Sequence, residues 1–243
     1  MIRCFIVGCP RSGTTLLQAL LAAHPKVCSL PESHFFRRSF RGKRAFLLRG
    51  FHASAVLRSW LQRIGLQEYV SRVPKLTPFR NPVVKAFVRI MDEVALRQGA
   101  ICWVEKTPGH IFVIEEIEKR VLNARFIHII RDGRAVVASL CDAKRLYPDA
   151  KFWLGHLEKS VSLWNRAILK SAQCMGKTNH FFVSYEALTT NPKGELNAIC
   201  RFLGLEFEDL EKYYSVLSES EREYVEKHLI EIPESLRRAM QHE

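Results

Sequence analysis

The 243-residue sequence predicts an α/β domain, with a central, mainly parallel sheet and helices on both faces. Three observations predict it. Short apolar runs rich in β-branched and aromatic residues recur along the chain, at 2–7, 27–30, 101–104, 125–130 and 180–184. Segments with helical spacing separate them. The first apolar run stops at Gly8 and passes through a turn containing Pro10 and Gly13 into a helical pattern, Leu16, Leu17, Leu20 and Leu21.

Taken in order, the first helix is expected to end near Ala23, where His24-Pro25 breaks it. Val27-Cys28-Ser29-Leu30 reads as a short buried strand, left by the loop Pro31-Glu32-Ser33-His34-Phe35-Phe36. Residues 37–80 read as a basic helical insertion, with Phe51, Val56, Leu57, Trp60, Leu61 and Ile64 at helical spacing. Pro74, Pro78 and Pro82 mark a loop, and a helix follows from Val83 to about Arg97. Ile101–Val104 is a strand and Glu105-Lys106-Thr107-Pro108-Gly109-His110 the loop after it, followed by helix to about Lys119. Arg125–Ile130 is a strand ending at Arg131-Asp132-Gly133-Arg134, with helix from Ala135 to Cys141. A long helix is expected from Phe152 to about Met175, a strand at His180–Ser184, a turn at Tyr185–Leu188, and a helix from Lys193 to Leu203 capped by Gly204. The remainder is charged and expected to be helical in part. The chain carries no internal repeat, so it is read as one domain, 1–243.

Composition narrows the function. The 47% hydrophobic content is ordinary for a globular protein, and no run of about 18 apolar residues suggests a membrane span. The first apolar run begins at Ile2, so no signal or transit peptide is expected, and a cytoplasmic location is the default expectation. Seven scattered cysteines with no C-x-x-C pair suit a reducing compartment, and neither a disulfide framework nor a zinc site. The formal charge of +12 implies attraction to anionic partners. Much of it lies between Ser33 and Gln67, which holds no acidic residue but Arg37, Arg38, Arg41, Lys43, Arg44, Arg49, Arg58 and Arg63. That segment reads equally as a clamp for an anionic glycan or lipid acceptor and as a solvated helix face.

The chemistry concentrates in loops that follow strands, where an open α/β sheet places its ligands. The spacing Gly8 to Gly13 is that of the P-loop, GxxxxGK[ST], so the fold is expected to be of the P-loop type. Thr14 stands where the lysine belongs, and Arg11 is the loop's one cation. Backbone N–H groups and a helix N-terminus, with Ser12, Thr14 and Thr15, suit a phosphate that carries something other than a triphosphate. Arg131 with Ser139 on the following helix suits a second phosphate. Glu32 is the acidic residue at the end of the second strand and the candidate general base. His34 and His110 are rival bases and, with Phe35, candidate acceptor contacts. Lys106 and Arg11 are candidates for stabilising charge on a leaving phosphate. Glu105 and Asp132 read as partners for nearby arginine and lysine, and no acidic pair is placed to hold Mg²⁺, so no metal is expected. Phe36, Phe40, Trp60, Trp103 and Trp153 read either as core or as an acceptor pocket.

These segments resemble the sulfotransferases that use PAPS (3′-phosphoadenosine-5′-phosphosulfate). Pro10-Arg11-Ser12-Gly13-Thr14-Thr15 is similar to their 5′-phosphosulfate loop. Phe126–Arg134 with Ser139 is similar to their 3′-phosphate site, and Val183-Ser184-Tyr185-Glu186-Ala187-Leu188 to a segment whose tyrosine, here Tyr185, lies by the adenine. Leu30-Pro31-Glu32-Ser33-His34-Phe35-Phe36 resembles the base-bearing segment of heparan-type glycan sulfotransferases, and tyrosylprotein sulfotransferases carry their catalytic Glu after a break like His24-Pro25. Glu105-Lys106-Thr107-Pro108 resembles the loop whose lysine lies by the leaving group. The family's Arg-Lys-Gly loop over the 3′-phosphate has no full counterpart, Arg237-Arg238 lacking the glycine.

The resemblance implies transfer of a sulfuryl group from PAPS to a hydroxyl, releasing adenosine 3′,5′-bisphosphate without a metal. The acceptor leans to a carbohydrate through the Glu-x-His-Phe-Phe pattern, with tyrosine, lipid and small-molecule hydroxyls as alternatives. The rival readings are a P-loop nucleotide kinase, which needs ATP and Mg²⁺, and a basic nucleic-acid-binding domain; nucleic acid is not the expected partner.

Overall fold

A computed structural model describes residues 1–40, 48–146 and 156–207. Five parallel strands form one sheet in the order β2-β3-β1-β4-β5: β1 Ile2–Gly8, β2 Val27–Leu30, β3 Cys102–Lys106, β4 Ala124–Ile130 and β5 His180–Ser184. β1 is central, pairing with β3 on one side (Ile2↔Cys102) and β4 on the other (Arg3↔Ala124).

The strand pleat sends alternate residues to opposite faces, and both faces are apolar. Cys4 and Ile6 point into one layer with α1 (Thr14–Ala22) and α9 (Pro192–Leu203), through Leu17, Leu21, Ile199 and Leu203. Phe5 and Val7 point into the other, with α2 (Phe35–Phe40), α3 (Arg49–Arg63), α4 (Arg80–Arg97), α5 (Ile114–Glu118), α6 (Gly133–Leu146) and α7 (Leu157–Ala172). Phe5 is the hub of that second core, in ring contact with Phe36, Trp103 and Phe126. A short helix α8, Tyr185–Thr190, follows β5 directly. None of these helices is long and apolar enough to cross a membrane.

Several boundaries differ from expectation. Pro82 lies in the first turn of α4, not in a loop; a missing N–H costs nothing there. Glu105 and Lys106 belong to β3, paired with Phe5 and Ile6. The segment to Lys119 is a 3₁₀ turn, Pro108–Val113, before the short α5. His34-Phe35 ends the loop after β2 early, because α2 starts at Phe35. The segment expected to be an insertion holds α3 and a 3₁₀ turn, Gln67–Arg72. Its Arg41, Lys43 and Arg44 lie outside the described residues, as do Trp153, the start of the long helix at Phe152 and the segment holding Arg237-Arg238.

Candidate active site

The strand order reverses at β1, and the crevice beyond the carboxyl ends of β3, β1 and β4 is where such a sheet takes ligands. The loop after β1 fills that position. Ser12 N–H closes its turn on Cys9 O at 3.2 Å, and Gly13, at φ +90°, caps α1. Arg11 also has a left-handed backbone, at φ +73°. Its guanidinium leaves the loop sideways, and Nε donates to Ser139 Oγ at 3.0 Å. Arg131 returns the contact, donating from Nη1 to Arg11 O at 3.2 Å while its guanidinium lies 4.2 Å from the centre of the Tyr185 ring. Thus Arg11, Arg131, Ser139 and Tyr185 gather on the β4 side of the loop. Arg11 was expected to stabilise the leaving phosphate; its Nε is bonded to Ser139 Oγ.

Gly13 fits because it has no side chain. A Cβ there would lie 2.3 Å from Tyr185 Cδ2, and its φ is one that L-residues rarely adopt. Gly13→Ala is expected to cost about 1–2 kcal/mol in backbone strain alone. At about 2–4 °C of Tm per kcal/mol for a chain of this size, thermal melting will read the loss. A variant melting like the wild type would mean that the loop and Tyr185 separate freely.

On the β3 side, the Lys106 side chain is 5% exposed and its Nζ lies 3.3 Å from Thr15 Oγ1. It forms an ion pair with Glu32 Oε1. The other Glu32 oxygen lies 3.3 Å from His34 Nε2. Burial holds the His34 imidazole below its ordinary value, with Glu32 opposing and Arg38 reinforcing, so the ring is largely neutral at pH 7. Glu32, His34 and Lys106 therefore meet at one wall of the crevice, as their positions after β2 and at the end of β3 require.

A cleft of about 700 Å³ opens from Glu32 and His34 and runs over Arg37, Pro108 and Phe112 to Lys159 and Arg166 on α7. The Arg37 and Arg166 guanidinium groups lie 5.3 and 5.6 Å from the Phe112 ring centre. Sequence reasoning missed Phe112, Lys159 and Arg166; only the packing of α7 against the turn after β3 brings them to Glu32.

Other candidates sit elsewhere. Phe35 and Phe36 are fully buried, Phe35 stacked on Phe87 and Phe36 edge-on to Phe5, and Trp60 and Trp103 are core. Phe35 thus presents no surface to an acceptor. His110 is also fully buried, its Nδ1 2.8 Å from Glu105 Oε2, so it reaches neither cleft nor crevice. Phe40 lies under the guanidinium groups of Arg80 and Arg120. Glu105 was expected to pair with arginine or lysine; it pairs with His110 instead. Asp132 caps α6, accepting from the Arg134 and Ala135 amides, and its Oδ2 lies only 3.9 Å from Arg134 Nε.

Among the described residues, one cluster has metal-ligating composition, His128, Cys174 and His180 with ligand atoms within 4.8 Å of one another. Its rings already form a continuous hydrogen-bonded chain. His128 Nδ1 is 3.0 Å from Ser171 Oγ, its Nε2 is 2.8 Å from His180 Nδ1, and His180 Nε2 is 3.1 Å from Glu118 Oε1. Burial, with His180 and Lys177, lowers the His128 pKa to about 3, which keeps that chain uncharged at His128. It lies along β4 and β5, away from the crevice.

A family model described as the sulfotransferase family matches residues 4–209. The chain belongs to the sulfotransferase family. Protein-tyrosine sulfotransferase 2 of Gallus gallus is 30% identical over 210 residues, covering 84% of this chain and 52% of that protein. Protein-tyrosine sulfotransferase A of Caenorhabditis elegans is 28% identical over 208 residues, 84% of this chain and 50% of that protein. This sulfotransferase-family chain thus spans about half the length of these curated relatives. The solved sulfotransferase domain of the Synechococcus PCC 7002 olefin synthase superposes with a TM-score of 0.56 at 25% identity, over 91% of this chain and 78% of that one. The sulfotransferase domain of the curacin pathway shares the fold, with a TM-score of 0.57 at 22% identity over 85% and 75%.

Proposed function

We propose that the chain transfers a sulfuryl group from PAPS to an acceptor hydroxyl. The observation that carries this is the meeting of the Glu32 carboxylate and the Lys106 ammonium against Thr15, at the rim of the glycine loop. In the proposed reaction the acceptor oxygen attacks sulfur in line. The sulfur–oxygen bond to the 5′-phosphate breaks, and Glu32 takes the hydroxyl proton. Lys106 stabilises the charge that develops on the leaving phosphate. The amides and hydroxyls of Ser12, Gly13, Thr14 and Thr15 hold the 5′ side. Arg11, Arg131 and Ser139 hold the 3′-phosphate, with Tyr185 beside the adenine. The place of Thr14, where a nucleotide kinase has its lysine, supports a donor other than ATP.

The acceptor enters by the cleft that ends at Glu32. Arg37, Lys159 and Arg166 along its wall outnumber the one carboxylate there besides Glu32, that of Glu158, and so support an acceptor carrying negative charge. The curated relatives named above are protein-tyrosine sulfotransferases. We therefore put a tyrosine in an acidic peptide first, ahead of an acidic glycan. The carbohydrate leaning came from the Glu-x-His-Phe-Phe pattern, whose two phenylalanines, Phe35 and Phe36, are core; a glycan therefore stays as the second acceptor.

Melting with adenosine 3′,5′-bisphosphate, ATP–Mg²⁺ and an oligonucleotide tests the donor. Only the first is expected to raise Tm, by about 2.7 kcal/mol of stabilisation at 100 times its Kd. Arg131→Ala is expected to abolish that rise. Labelled PAPS offered with an acidic tyrosine peptide and with a sulfated glycan then ranks the acceptors. A rise with ATP–Mg²⁺ or oligonucleotide alone would sink the proposal.

A further inference from the structure

Glu105 is 2% exposed and touches neither cleft nor crevice, yet it is the most heavily bonded carboxylate near the site. One oxygen, Oε1, accepts from Ser33 N–H at 3.1 Å, Ser33 O–H at 2.6 Å and Thr107 O–H at 2.8 Å. The other faces His110 Nδ1 at 2.8 Å. Burial by itself would raise this carboxyl; the facing His110 and the three hydroxyl and imidazole bonds outweigh it and bring the pKa from 4.5 down to about 2. The group is a fixed anion at any working pH.

Its partners define what it holds. Ser33 lies between Glu32 and His34, whose side chains are each about a third exposed and turned to the cleft. The β2–β3 ladder ends at Leu30↔Glu105, so residues 31–34 run beyond the sheet's own hydrogen bonds. Further bonds tie them down: His34 N–H donates to Thr107 Oγ1 at 3.2 Å, and Phe35 N–H to Ser33 Oγ at 3.1 Å. His34 has φ +51°, a left-handed backbone in a residue with a Cβ. Such a conformation persists where surroundings over-determine it, and it clusters at functional sites. Successive β3 residues point to opposite faces, so Lys106 grips the Glu32 side chain while Glu105 grips the backbone beside it.

We infer that Glu105, acting through Ser33 and Thr107, is the positioning residue that sets the Glu32–His34 segment against Lys106. This rests on the proposed sulfuryl transfer, in which Glu32 takes the acceptor proton. Neither Glu105 nor Thr107 touches substrate; each acts by fixing where the base stands.

Thr107→Val tests this with little change of shape. It removes both the acceptor for His34 N–H and the donor to Glu105. We expect kcat to fall about tenfold or more, up to the roughly 100-fold that a small misplacement costs, with affinity for adenosine 3′,5′-bisphosphate unchanged. Glu105→Ala should do the same if it folds. Glu105→Gln keeps an oxygen for Ser33 and Thr107 and should restore most of the rate. A second readout needs no turnover. The His34 ring, assigned in NMR spectra by its loss in His34→Asn, faces Glu32, Arg38, Glu105 and His110. Its pKa should rise towards 6.5 in Thr107→Val as the segment loosens and the ring gains water.

A folded Thr107→Val with wild-type kcat and an unmoved His34 titration would overturn the inference. So would a rate loss matched by lost folded protein with the titration unmoved. If the wild type neither binds adenosine 3′,5′-bisphosphate nor transfers sulfate, the transfer reading fails instead, and the His34 titration still decides the positioning.

Discussion

Glu32→Gln is expected to lower sulfuryl transfer by about 10²- to 10⁴-fold, the range assigned to a positioned general base. The amide matches the carboxylate in shape and can still contact Lys106 and His34, but it cannot accept the acceptor's proton. Binding of adenosine 3′,5′-bisphosphate should survive, because the residues proposed to hold it lie across the crevice on the loops after β1 and β4 and on α6. The decisive measurement is single-turnover rate at saturating donor, with calorimetry of the product nucleotide alongside. Near-normal turnover in a variant that still binds nucleotide would remove Glu32 from the proton path. His34, 3.3 Å from the same carboxylate and largely neutral at pH 7, would then be the next base to test.

Lys106→Ala should cost about 10²- to 10³-fold in kcat, comparable to deleting a preorganised group aimed at developing charge. The ammonium is 5% exposed, so water screens it little and its charge acts at close range. Its loss also leaves Glu32 without its cation. Lys106→Arg should not rescue the rate, because a planar guanidinium does not fit a buried strand end shaped for a compact ammonium. A series of leaving groups of graded basicity would check the role: the defect should grow as the leaving group becomes more basic. A flat response would assign Lys106 to holding Glu32 alone.

The strands were legible because β-branched runs buried on both faces leave little choice, and β5 falls at His180–Ser184 as read. The convergence of Glu32, Lys106, the glycine loop and Arg131 was legible too, since parallel strands put all their carboxyl ends on one rim. What the chain concealed was pairing set by strand order. Charged Glu105 and Lys106 looked like loop, yet β3 lies between β2 and β1, so its last residues are buried by neighbours distant in sequence. The same placement made Glu105 a partner of Ser33, and turned Phe35 and His110 inward. Arg166 joins the cleft from α7, more than a hundred residues past Glu32, and no local pattern marks it.

The central place of β1 also bears on how the chain comes to be folded. β1 pairs first with β3, at Ile2↔Cys102, and β2 likewise has β3 as its partner, at Val27↔Cys102. Until residue 102 and its neighbours exist, neither early strand has a ladder to join. At about 5–20 residues per second, a nascent chain waits roughly 5–20 s with its central strand unpaired. Such non-local contacts slow folding and expose strand edges meanwhile. Fragments ending before β3 should therefore aggregate rather than fold, and limited proteolysis of stalled nascent chains should find protection arising only after β3 has emerged.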